Sequence, residues 1–210
     1  EPVNIQVHFV DVDQGDSIFI QTPSKNVLID GGEKGSGIVD YLKKLNIETI
    51  DIVIGTHAHS DHIGGLIDVF ERFQVKEVID PGAIHTTKTY EDYLRAIDRK
   101  NIKFTEGYAG LTRDLGHNIN LEILHPISVD GQSINNTSIV AKLTHHWASF
   151  LFTGDIEKEV EDKLVRTYNL DSTVLKVPHH GSDTSSSIAF IKAVNPKIAV
   201  IMVGGDNSYG

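Results

Sequence analysis

Cysteine is absent from the 210 residues, which removes disulfides, thiolate metal sites and cysteine nucleophiles together. Any metal bound by this chain must therefore be held by histidine and carboxylate. No apolar run approaches the roughly 18 residues that a membrane-spanning helix needs, so the segment reads as a soluble domain with no membrane contact of its own. Cationic side chains are also scarce. Nineteen Lys and Arg face 29 Asp and Glu, a formal net charge of −10, which argues against a broad basic footprint for nucleic acid but leaves room for a local site fed by metal cations. An initiator methionine and a signal segment are missing, and the chain stops at Gly210 just after an apolar run, so a mature form or an excised domain with a truncated C-terminus is expected. What is present is ordinary globular composition, 40% hydrophobic and 23% charged. The length suits a single domain over 1–210, or two small halves sharing one site.

Short runs rich in Val and Ile alternate with helical patterns and are bounded by Gly, Asn and Asp. The pattern predicts strands near 4–10, 17–21, 26–30, 50–55, 75–79, 119–124, 137–143, 148–153, 172–177 and 197–203. Helices are predicted over 37–45, 63–73, 89–100, 156–168 and 186–194. Such alternation is that of a layered α/β fold. A weak internal repeat adds to this. Ser17–Asp30 reads as a hairpin ending in Asp30-Gly31, followed by a helix and a strand that runs into His57; Thr137–Asp155 reads as a hairpin ending in Gly154-Asp155, followed by a helix and a strand that runs into His179. The carboxylate-to-histidine spacings are 57 − 30 = 27 and 179 − 155 = 24 positions. Two similar halves would then each deliver a carboxylate and histidines at strand ends, where open α/β sheets carry their sites.

The strongest chemical signal is His57-Ala58-His59-Ser60-Asp61-His62, directly after a strand. Four ligand-type side chains within six positions are uncomfortable as buried unpaired groups, and they offer the atoms that bind zinc and similar cations. A solvated histidine-rich loop is the competing reading. In an extended loop His57 and His59 point the same way, while Asp61 and His62 fall at the turn into the next helix, an arrangement suited to two adjacent metals. Gly64-Gly65 permit close backbone approach there. Phe152-Thr153-Gly154-Asp155 places an acid at the end of an apolar strand; alone it reads as a turn or helix cap, but its place in the repeat makes it a candidate bridge between two cations. In Val177-Pro178-His179-His180-Gly181-Ser182-Asp183-Thr184-Ser185, one imidazole could complete a metal site and the other donate a proton, with the hydroxyls, Ser182 first, able to bond phosphate oxygens.

The H-x-H-x-D-H pattern of His57–His62, together with Leu28-Ile29-Asp30-Gly31-Gly32 and Phe152-Thr153-Gly154-Asp155, resembles the metallo-β-lactamase superfamily. Phe9–Ser17, Thr56–Gly65, Asn135-Asn136-Thr137-Ser138, Lys176–Ser182 and Asn207-Ser208-Tyr209-Gly210 are similar to the extracellular nuclease-like domain of the ComEC/Rec2 competence proteins and its free-standing hydrolase relatives. The resemblance spans almost the whole chain. It implies a four-layer αββα metallo-β-lactamase sandwich built of two similar halves, a binuclear centre and phosphodiester hydrolysis, with single-stranded DNA degraded during DNA uptake as the role. It makes His57 and His59 ligands of a first metal, Asp61 and His62 ligands of a second, Asp155 the bridge and Asp30 an outer acid orienting histidines. His180 or His179 is a further ligand and the other the proton donor. Asp16 is expected near the metals. Where most of the superfamily has a third histidine for the first metal, this chain offers Asn135-Asn136, and Asp13 stands where these relatives usually carry Gly. The two divalent ions are expected to be Zn2+, which suits histidine, or Mn2+, which suits the carboxylate and amide share. An extracytoplasmic location, at the cell surface or secreted, is expected, with the cytoplasm open as an alternative. The membrane channel portion of a competence protein is the expected partner if the domain is excised from one. A phosphocholine esterase, lactonase or thioesterase, or a metal-stabilised binding module, would carry the same metal motif.

Weaker candidates are read structurally: His145-His146-Trp147 as a hairpin tip, His125 as a satisfied histidine, and His8, His85 and His117 without a role. The Lys/Glu-rich segment 157–166 reads as the exposed face of a helix.

Overall fold

The computed structural model describes residues 4–205 and 207; Ser208, Tyr209 and Gly210 of the C-terminal motif lie outside the described residues. The first half runs β1 (Gln6–Phe9), β2 (Ile18–Gln21), β3 (Asn26–Ile29), α1 (Ile38–Lys44), β4 (Thr49–Ile54), α2 (Ser60–Arg72), β5 (Gln74–Asp80), α3 (Lys88–Arg99) and β6 (Lys103–Glu106). The second runs β7 (Thr112–Asp114), β8 (Ile119–His125), β9 (Val140–His145), β10 (Ala148–Phe152), α4 (Lys158–Thr167), β11 (Val174–Lys176), α5 (Ile188–Val194) and β12 (Ile198–Val200), with short 3-10 turns at Asn135–Thr137 and Pro178–Gly181.

The strands form two six-stranded sheets, in spatial order β1-β2-β3-β4-β5-β6 and β12-β11-β10-β9-β8-β7. Period-two alternation sorts their side chains into layers. Ile18, Ile20, Val27, Ile29 and Ile54 of the first sheet meet Leu121, Ile123, Ala141, Leu143 and Phe152 of the second between the sheets. Phe19, Leu28, Val53 and Val78 turn outward under α1, α2 and α3, and Val140, Leu151 and Leu175 turn outward under α4 and α5. Three apolar interfaces thus separate four layers, as the αββα expectation requires.

The internal repeat is visible in the pairing. Strands β2 and β3 are antiparallel, and β3, β4 and β5 are parallel; β9 and β10 are antiparallel, and β10, β11 and β12 are parallel. Each half is therefore a hairpin followed by two right-side-by-side parallel additions through helices, and the carboxyl ends of β3, β4, β10 and β11 carry Asp30, His57, Asp155 and His179.

Two strands escape the sequence pattern. β6 and β7 are the outer edges of their sheets, with mostly exposed side chains, so no alternation marks them. Helix α2 starts at Ser60, three residues before the predicted start, because His59 takes the extended cap position and its carbonyl accepts the His62 and Ile63 N–H groups. That places Asp61 and His62 in the first helical turn. Among the described residues no helix is long and apolar enough to cross a membrane.

Candidate metal centre

Each half delivers its donors through strained or glycine-bearing turns at strand ends. Asp30, fully buried after β3, sits at φ 57°. Its Oδ1 accepts the Thr56 N–H at 2.8 Å, and its Oδ2 accepts the Thr56 hydroxyl at 2.7 Å and lies 2.8 Å from His62 Nδ1. Asp30 is thus engaged with one ring nitrogen of His62 and turns the other, Nε2, inward, the outer role expected for it. The turn before β2 presses on α2 from the other side. Asp16 N–H donates to the Asp61 carbonyl at 3.2 Å, and a Cβ on Gly15 (φ 119°) would lie 2.0 Å from that carbonyl oxygen, so only glycine fits.

From the second half, Asp155 follows Gly154 (φ 51°) and donates its N–H to Ser138 Oγ at 3.0 Å. His179 and His180 are consecutive left-handed residues, φ 50° and 54°, and the turn they make sends their side chains different ways. His180 Nδ1 bonds the Met202 carbonyl at 2.8 Å, leaving Nε2 to face the cluster. His179 lines the cavity instead. Its Nδ1 bonds Thr184 Oγ1 at 3.0 Å, 3.9 Å from Glu157 Oε1, and its Nε2 lies 3.4 Å from Asn135 Nδ2.

The donors converge on Asp155 Oδ2, which is 3.2 Å from both His62 Nε2 and His180 Nε2 and 3.8 Å from His57 Nε2. Asp61 Oδ2 is 3.3 Å from His180 Nε2. Three groups have donor atoms close enough to share an ion: His57, His62 and Asp155; Asp61, His62 and His180; and Asp16, Asp30 and His62. His62 Nε2 and His180 Nε2 are buried without a hydrogen-bond partner, a costly state for polar atoms unless a ligand completes them. Nitrogen and carboxylate donors converging in this way fit a divalent cation. Without one, charges crowd. Burial lowers the His180 pKa, but Asp155 and Asp61 outweigh it and raise it to about 9. Burial pushes His57 well down, with His62 adding to the shift, which leaves its imidazole neutral as a ligand must be.

The grouping differs from the expected pairing. His62 belongs to all three sets, while His59 stands with Nδ1 3.0 Å from His57 Nε2, at the cavity wall and outside them. A cavity of about 470 Å3 opens over the cluster, lined among others by His59, Asp61, Asn135, Asp155, His179, His180 and Ser182. Asn135 faces it, its Oδ1 buried and unpartnered. Asn136 does not, a correction to the expected placement: its Oδ1 accepts the Glu157 N–H at 2.9 Å and ties the start of α4. Ser182 Oγ is 3.2 Å from Thr184 Oγ1 at the cavity rim.

Two of the weaker histidine readings, His125 and the hairpin tip, match the structure. His125 Nδ1 is satisfied by the Ser138 carbonyl at 2.9 Å, and His146-Trp147 form the turn between the paired residues His145 and Ala148 of β9 and β10. Sequence reasoning missed Lys176, which is fully buried with its ammonium bonded to Asp16 and to the Gly154 carbonyl at 3.1 Å. A lysine inside the apolar run Val174-Leu175-Lys176-Val177 was the signal, since an unpaired ammonium cannot be buried there.

Compared with known proteins, residues 10–205 match the metallo-beta-lactamase superfamily. The chain belongs to that superfamily. Relatives match over nearly the full chain: it is 31% identical to ComE operon protein 3 of Bacillus subtilis, across 97% of the chain and 29% of that protein. It is 32% identical to Competence protein ComA of Neisseria gonorrhoeae, across 95% of the chain and 27% of that protein. The chain thus spans between a quarter and a third of the length of these relatives. Over a shorter stretch, 25% of the chain and 20% of the relative, it is 39% identical to Exodeoxyribonuclease WalJ of Streptococcus pneumoniae. Among solved structures, the metallo hydrolase Igni18 of Ignicoccus hospitalis shares the metallo-β-lactamase fold with a TM-score of 0.59 at 19% identity, over 96% of this chain and 82% of that one. The site is accordingly that of a metal-dependent hydrolase family.

Proposed function

We propose that this domain is a binuclear metal-dependent phosphodiesterase that degrades single-stranded DNA. The observation that carries the reading is the set of imidazole and carboxylate donors converging on Asp155 Oδ2 from both halves beneath an open cavity. The likeness to a competence protein and, locally, to an exodeoxyribonuclease supports a nucleic-acid substrate, and a competence setting supports an extracytoplasmic site beside a membrane channel portion.

His57, Asp61, His62, Asp155 and His180 would hold two divalent cations, Zn2+ or Mn2+, with His59 at the edge of the first. Bound there, the cations supply Lewis acidity toward the phosphate and activate water. The chain's own groups do the rest. His179 stands outside the ligand cluster with one nitrogen on Thr184 and the other in the cavity, a placement that suits proton donation to the leaving alkoxide. Ser182 and Thr184 hydroxyls and the Asn135 amide line the same wall and can bond non-bridging oxygens. Asp30 fixes His62.

The test is turnover of labelled single- and double-stranded DNA by metal-loaded protein, with a lactone and a thioester in parallel. Metal-dependent cutting of single strands, abolished by Asp61→Ala or Asp155→Ala, is expected. Turnover of the lactone or thioester alone would overturn the reading. His179→Ala should slow DNA cutting by about 10²–10⁴ and a p-nitrophenyl ester, whose leaving group needs no proton, far less.

A further inference from the structure

Lys176 is a fully buried charged group that this mechanism leaves without a task. It ends β11, and period two turns it to the face opposite Leu175, toward the other sheet. There its ammonium meets Asp16 of the first half, the Gly154 carbonyl at 3.1 Å and, at 3.7 Å, Asp155 Oδ1. Asp16 and Asp155 each belong to one of the donor groups, and Gly154 adjoins Asp155 in the chain. Asp155 Oδ2 is the oxygen on which His62 and His180 converge at 3.2 Å, so the two oxygens of this carboxylate face different charges: Oδ2 the imidazoles, Oδ1 the lysine.

We infer that Lys176 is a positioning residue that reserves Oδ1, so that Asp155 offers the cations a single oxygen. Deprived of the ammonium, the carboxylate is free to turn both oxygens onto one ion, as carboxylates do when unconstrained, and one ion then gains at the other's expense. Asp16 anchors the lysine; it is itself held by backbone bonds to Asp61 and Gly32, and its Oδ1 is 3.5 Å from His180 Nδ1. The ion pair therefore joins the two sheets directly behind the carboxylate that would bridge the cations. A simpler role also exists for a buried lysine, the neutralisation of Asp16, and the two roles separate experimentally.

This inference rests on the two-cation reading above. The probe is Mn2+, titrated into metal-free protein and followed by electron paramagnetic resonance and by equilibrium dialysis. The wild type is expected to take two ions and show the spectrum of an exchange-coupled pair. Lys176→Met should lose the coupled spectrum and bind the second ion at least tenfold more weakly. Asp16→Asn/Lys176→Met removes both charges, so no unpaired carboxylate remains at Asp16 to unfold the protein, and it should still lack the coupled spectrum. Return of the wild-type spectrum in that double variant would overturn the inference and leave Lys176 as a counterion for Asp16. A wild type that binds one ion would overturn the two-cation reading itself, whatever the variants do.

Discussion

Asp80, the last residue of β5, keeps its carboxyl buried, with the Gly82 N–H bonding it at 2.8 Å and the Tyr93 hydroxyl beside it. Burial dominates and raises its pKa from 3.8 to about 7. The folded state thus holds a proton that the unfolded chain releases near pH 4, and this contribution, fully present below pH 4, is lost as pH rises through 7. Asp80→Asn should therefore be more stable than wild type at pH 8, by on the order of 2–4 kcal/mol, and nearly equal to it at pH 4; thermal melts across this range check the sign. The two asparagines make a second contrast. Asn136→Ala removes the acceptor of the Glu157 N–H and should cost about 1 kcal/mol with metal content unchanged. Asn135→His adds an imidazole at the cavity wall and should raise zinc occupancy, read by metal analysis after dialysis. The sequence pattern could not separate these neighbours, since both precede the same strand and their divergence comes from the 3-10 turn that holds them. His57–His62 was legible because its spacing alone crowds four donors. Lys176 was legible only as an anomaly in an apolar run, since its partner Asp16 lies in the other half and 160 positions away in sequence.

At the scale of elements, the placement of α2 matters most. Its first turn carries Asp61 and His62, and its glycines let it lie on the loop after β3: Gly65 N–H donates to the Gly32 carbonyl at 2.8 Å, and a Cβ on Gly65 would stand 2.0 Å from the Gly31 oxygen. The Cβ position is fixed by the helix backbone and the atom it meets is a backbone oxygen, so neither can swing aside. Gly65→Ala should push the helix off its seat, with a stability loss on the order of 3 kcal/mol and reduced metal uptake, measured by chemical denaturation and dialysis on the same sample. The predicted core elements were legible because buried strands and amphipathic helices carry their period in their side chains. β6, Lys-Phe-Thr-Glu with mostly exposed positions, carries none; it exists because β5 offers it an open edge, a tertiary cause that local sequence does not contain.

For the whole molecule, the donors come from both halves: His57, Asp61 and His62 from the first, Asp155 and His180 from the second. A cation bound among them ties one sheet to the other, so removal of metal by a chelator should lower the melting temperature of the entire domain. At a free cation concentration a hundred times Kd the stabilisation is about 2.7 kcal/mol; Asp155→Ala should melt at the same temperature with and without metal. The net charge of −10 belongs to this scale too. Few phosphates can be neutralised by side chains, so DNA binding should show a shallow salt slope and weaken sharply without divalent cations, a dependence that fluorescence anisotropy reads directly. The order of the strands has one more consequence. The chain passes from the first sheet to the second between β6 and β7, each the outermost strand of its sheet, and Gly110 in that passage is exposed. Severed after Tyr108, the protein would become two pieces, each with a complete sheet, its own helices and one share of the donors. Fragment complementation, with zinc or manganese as the trigger for reassembly, is then built into the topology.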